Sequence, residues 1–197
     1  MNTVTKQSIY KCFYHWGRTL LSAFVLSAAI LPHASAHLMV AQHGTLNFKG
    51  DSVFMVLSLP VSAFETIDDD GDGKMSSAEF SKHRITIAET VKKRVKLSDE
   101  KGASTLRGLM LSPVKPHVVG KAHSKQLVIM GRFFLRDIDS AQGDKLKFQI
   151  GIFGKAADEK LFKVTATRKK DTDSAPKKYK FVLTPELFEN QLFSGPL

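Results

Sequence analysis

The chain has 197 residues, 43% hydrophobic and 24% charged, with a formal net charge of +10 and a sequence pI near 9.7. That balance excludes a disordered chain and gives enough length for one domain with a sizeable core. The single cysteine, Cys12, excludes an internal disulfide, so stability has to come from packing or from a bound ion.

The first residues read as a targeting segment. Lys6, Lys11 and Arg18 precede an apolar run from Thr19 to Leu31. Pro32 ends the run, and Ala34-Ser35-Ala36 has the small-x-small pattern of a cleavage site. The run falls short of the roughly 20 residues that span a bilayer as a helix. A signal peptide over residues 1–36 is expected, followed by a single β-sandwich domain over 37–197. The mature protein is then exported, periplasmic or secreted, and not transmembrane after cleavage. Its basic clusters, residues 91–96 and 168–180, would first suggest nucleic acid. Export argues against that partner, and leaves a solvated face or contact with an anionic membrane surface.

Leu46 and Phe48 alternate with polar neighbours, Lys49-Gly50-Asp51 reads as a turn, and Val53 to Leu59 is an apolar run of strand length. A hairpin is expected there. Pro60 then opens a short helix over Val61 to Ile67. A longer helix is expected from Ser77 to about Val95, with Phe80, Ile87, Ala88, Val91 and Val95 on one face. Ser76 and Glu79 form a capping box at its start. The rest of the chain returns to period two. Strands are expected over 105–111, 126–135, 146–152, 162–166 and 179–183, the last two joined as a hairpin. The fold class is mostly β with an α insertion: an antiparallel β-sandwich whose helical segment, at about 61–96, interrupts one connection.

Between the two helical segments lies Asp68-Asp69-Asp70-Gly71-Asp72-Gly73-Lys74-Met75-Ser76-Ser77-Ala78-Glu79. It matches every fixed position of D-x-[DN]-x-[DN]-G-x5-E, and so resembles an EF-hand loop with its two flanking helices. The resemblance implies one calcium ion per chain. Calcium takes six to eight oxygens at flexible distances. The ligands implied are the carboxylates of Asp68, Asp70 and Asp72, the backbone carbonyl of Lys74, Ser76 directly or through water, and both oxygens of Glu79. Gly73 allows the sharp turn. Asp69 is a non-ligand that adds to the negative field. Met75 stands where EF-hands place an aliphatic residue that pairs with a second loop. No second loop is complete, since the starts at Asp137 and Asp171 fail at the following ligand and glycine positions. A lone hand pairs across a dimer or braces against the sandwich, and the apolar face of the long helix, which needs a partner, favours the second.

The layout from Ala36-His37 through a strand pair to an acidic loop and helix resembles, more loosely, the soluble exported domains of nickel-permease-type membrane proteins that accompany hydrogenase and urease. That resemblance implies a membrane or protein partner of unknown identity. The expected function is non-enzymatic calcium binding that orders the insertion and a partner surface. Two alternatives are a copper-handling protein using His37 as its mature N-terminus, and an enzyme in which calcium is structural. The scattered methionines read as core filling. The sequence contains no HExxH, no GxSxG and no complete phosphate loop.

Overall fold

A computed structural model describes residues 42–114, 123–136, 145–169 and 174–193. The leader, His37 and His117, and the acidic starts at 137–139 and 171–173 lie outside these residues.

The expected first hairpin is present. β1 (His43–Lys49) and β2 (Ser52–Pro60) pair from His43 with Ser58 to Lys49 with Ser52. Gly50, at a φ of 59°, turns the chain between them. Val53, Met55, Leu57 and Leu59 point to one side of β2 and are all buried. Burying each such side chain is worth about 1.5–3 kcal/mol.

β5 (Thr105–Pro113), β6 (Gln126–Phe134), β8 (Phe162–Arg168) and β9 (Lys177–Leu183) join that hairpin in a six-stranded sheet, ordered β5-β6-β2-β1-β8-β9. Its pairs are antiparallel except β1 with β8, which run parallel. A parallel pair needs a long crossover, here the whole chain between the two strands. A bulge interrupts β5 between Arg107 and Met110, with Gly108 at a φ of 62°.

A second sheet, ordered β10-β7-β3-β4, contains β3 (Val95–Asp99), β4 (Gly102–Ala103), β7 (Lys147–Ile150) and β10 (Glu189–Gln191). The two sheets share one core. Leu97 and Phe148 from the smaller sheet pack in the same cluster as Leu57, Ile129, Phe133 and Phe162 from the larger. Phe148 meets Phe181 edge-on across the layers at 6.5 Å. The protein is mostly β, a sandwich with one helical insertion.

One expectation about the insertion needs correction. The segment from Val61 to Ile67 is not a helix; only Val61–Ala63 forms a single 3-10 turn. Thr66 adopts a φ of 61°, which no right-handed helix allows, and Phe64 and Ile67 are both buried. The expected longer helix is present as α1 (Ser77–Arg94), and Val95 is the first residue of β3. No glycine or proline stops it. The Arg94 carbonyl accepts from the Gly151 N–H at 2.8 Å and Val95 pairs with Ile150, so sheet pairing ends the helix. Of its expected apolar face, Ile87 and Val91 are fully buried, while Phe80 and Ala88 are half-buried. No helix among the described residues is long and apolar enough to cross a membrane.

Candidate metal centre

The loop begins where buried Ile67 gives way to Asp68 and ends where Glu79 enters the first turn of α1. Gly71 and Gly73 adopt φ values of 73° and 72°, in the left-handed region that a side chain disfavours. These two residues let the chain curl back. Gly73 then donates its N–H to Asp68 Oδ2 at 2.8 Å. Asp70 Oδ1 accepts from the Asp72 N–H at 3.1 Å, and Asp72 Oδ1 from the Lys74 N–H at 2.8 Å. Carboxylates bonding to the backbone two residues on are the local chemistry that makes aspartate a turn residue.

Glu79 closes the loop from the other side. It is only 7% exposed. Its Oε1 accepts from the Asp69 N–H at 2.8 Å, and its Oε2 from the Ser76 N–H and hydroxyl, each at 2.7 Å. The Glu79 N–H donates back to Ser76 Oγ at 3.2 Å, completing the expected capping box. The Ser76 hydroxyl, then the Ser76 and Asp69 N–H groups, hold the Glu79 carboxyl below its usual range.

One oxygen each from Asp68, Asp70 and Glu79 comes within 4.8 Å of the other two. Asp68 Oδ1 is buried and accepts no hydrogen bond. Burying a carboxylate oxygen unpaired is costly. Three convergent carboxylates, one of them with a buried oxygen that has no hydrogen-bond partner, are a donor set that fits a hard cation such as calcium.

Two of the other expected ligands, Asp72 and Ser76, are engaged elsewhere. Asp72 Oδ2 lies 2.9 Å from Lys74 Nζ and 3.3 Å from His123 Nδ1, outside the convergent trio. Lys74 is the first cause of the lowered Asp72 pKa, with His123 adding to it. The Ser76 hydroxyl is spent on Glu79. Asp69, expected as a non-ligand, is paired with cations. Lys82 Nζ and His83 Nε2 each lie 2.9 Å from it, and Lys82 followed by His83 lowers its pKa.

The acidic loop is braced against the residues just before β6. Met75 is buried and makes a two-way β-bridge with Ser124: Met75 N–H to Ser124 O at 2.7 Å, and Ser124 N–H to Met75 O at 2.9 Å. At the other end of the insertion, the Val61 N–H donates to Lys125 O at 2.9 Å. The residues just before β6 therefore tie down both the start of the insertion, at Val61, and the acidic loop, at Met75.

His83, His123 and Ser124 were not singled out by the sequence as companions of this site. His83 is one turn beyond Glu79 on α1, so helical spacing could have found it. His123 is 51 residues from Asp72, and no local signal links them. Among the methionines, Met55 and Met75 fill the core, but Met110 is 61% exposed on the sheet, which corrects the core-filling expectation there. A scan against protein-family models finds no match to this chain, and no curated protein matches it.

Proposed function

We propose that this protein binds one calcium ion in the loop from Asp68 to Glu79, as an exported, periplasmic or secreted, non-enzymatic protein. Calcium orders the insertion between the sheets and the surface it offers to a protein or membrane partner. Asp68, Asp70 and Glu79 would hold the ion first. Asp72 would join on leaving Lys74 and His123, with the Lys74 carbonyl and Ser76 completing the oxygen set. The observation that carries the reading is the convergence of the Asp68, Asp70 and Glu79 carboxylates inside a complete loop pattern, with a buried Asp68 oxygen left without a hydrogen-bond partner.

Asp70 and Asp72 are exposed, and Asp72 starts in an ion pair, so binding in the weak range of extracellular modules is expected, about 10⁻⁴ to 10⁻³ M. Calcium then acts as a staple. At about 15 times its dissociation constant it would stabilise the fold by roughly 1.6 kcal/mol. Calorimetric titration of the metal-stripped protein should give one site per chain and a raised melting temperature. Glu79→Gln should lose both. Absence of heat and of any melting shift in the unsubstituted protein would overturn the reading.

A further inference from the structure

The two sheets of the sandwich carry charge differently. The smaller one pairs two of its lysines with acids, Lys147 with Glu189 and Lys145 beside β7 with Glu100 beside β3, and leaves Lys96 on β3 without one among the described residues. The larger one has no acid to offer, since none of its six strands contains an aspartate or a glutamate.

Its inner face is the core; its outer face meets solvent. One register row across that outer face runs Arg107, Arg132, Phe54, Asn47, Thr167 and Lys178. The neighbouring rows bring Lys180 beside Thr165, and Lys163 beside Val182. Among the described residues, none of Arg107, Arg132, Lys163, Lys178 and Lys180 has a carboxylate partner. Between these cations stand the tips of Phe54, Met110 and Val182, which are 42%, 61% and 44% exposed.

Lysines on an edge strand commonly guard it against aggregation. That accounts for β9, but not for Arg132 and Lys163, which lie on interior strands with neighbours on both sides. Stacking of nucleic-acid bases would need open aromatic faces. Here Arg132 lies 4.1 Å from the Phe134 ring centre and 5.8 Å from that of Phe54, and Arg107 lies 5.5 Å from Phe134. A bilayer surface asks for no complementary shape, only charge of one sign and a few apolar tips. We propose that this outer face docks on a negatively charged lipid bilayer. The inference goes beyond the calcium reading and does not depend on it.

The test is co-sedimentation of the protein, in the form its expressing cell yields, with vesicles of equal phosphatidylglycerol and phosphatidylcholine or of phosphatidylcholine alone. Excess chelator keeps calcium bridging out of both arms. Binding to the anionic vesicles should exceed binding to the neutral ones, and should fall at least about tenfold in Lys163→Gln/Lys178→Gln/Lys180→Gln. Lys92→Gln/Lys93→Gln/Lys96→Gln, which removes as much charge elsewhere, should bind almost unchanged. Met110→Asp is a second, independent disruption of the face, and melting curves identify any variant that has lost its fold. Equal losses in the two triple variants would overturn the proposal, because net charge alone would then explain binding. So would equal binding to both vesicles, or binding to single-stranded DNA with none to anionic vesicles.

Discussion

The sheet and the loop hold their shapes by different physics. In β2 every second side chain is apolar and buried, and the backbone is satisfied by regular ladders on both sides. In the acidic loop there is no ladder beyond one bridge. Its backbone N–H groups at Asp69, Asp72, Gly73, Lys74 and Ser76 are taken up by carboxylates instead. The first kind of structure is insensitive to pH and ions. The second is made of groups whose charge depends on both, so the loop can respond to its surroundings while the sandwich does not.

This contrast can be broken most severely from the sheet side. Phe133→Ala removes a fully buried ring from the core and should cost about 3–5 kcal/mol by denaturant unfolding, to the same extent with calcium and with chelator. A calcium-dependent loss would mean that the core and the loop are not energetically separate. Ser76→Ala is smaller and falls on the loop. It removes the N-cap of α1 and the hydroxyl that holds Glu79, and should cost about 1 kcal/mol. Its calcium affinity should fall as well, because Glu79 is no longer held in place; unchanged affinity would show that the backbone donors suffice.

The smallest effect concerns acid. Glu79 and Asp69 both have carboxyls lowered in the folded protein. A lowered folded value means that the stabilisation is fully present above the unfolded value. It is lost as pH falls from that value, 4.5 for Glu79 and 3.8 for Asp69, towards the folded one. In chelator, melting temperature should therefore decline below about pH 4.5, and Asp69→Asn should shrink the lower part of that decline by a small margin. A decline of the same size in Asp69→Asn would assign it to other carboxylates.

What the sequence made legible was local. The loop pattern, the capping box, the Gly50 turn and the alternation in β2 each depend on residues within a few positions of one another. What it hid was settled at a distance. Residues 91–96 favour a helix by composition, yet pairing with β7 draws Val95 into a strand. Val61 to Ile67 follows a proline that suits a helix start, but the chain turns left-handed at Thr66 between the buried Phe64 and Ile67. The diversion of Asp72 by His123 joins two segments far apart in the chain, so spacing around the motif could not show it.

The bridge between Met75 and Ser124, with the nearby bond from Val61 to Lys125, gives the acidic segment the form of an eyelet sewn shut at its neck. Closing a flexible loop becomes only slowly more costly as it lengthens, by about 0.6 kcal/mol for each doubling. An eyelet of this kind can therefore gain residues around its exposed Glu65 and Thr66 without coming undone. Its stitching is far less forgiving: a proline at position 124 would remove the N–H that reaches Met75 and the hydroxyl that ties the seam to Gln126 at the start of β6.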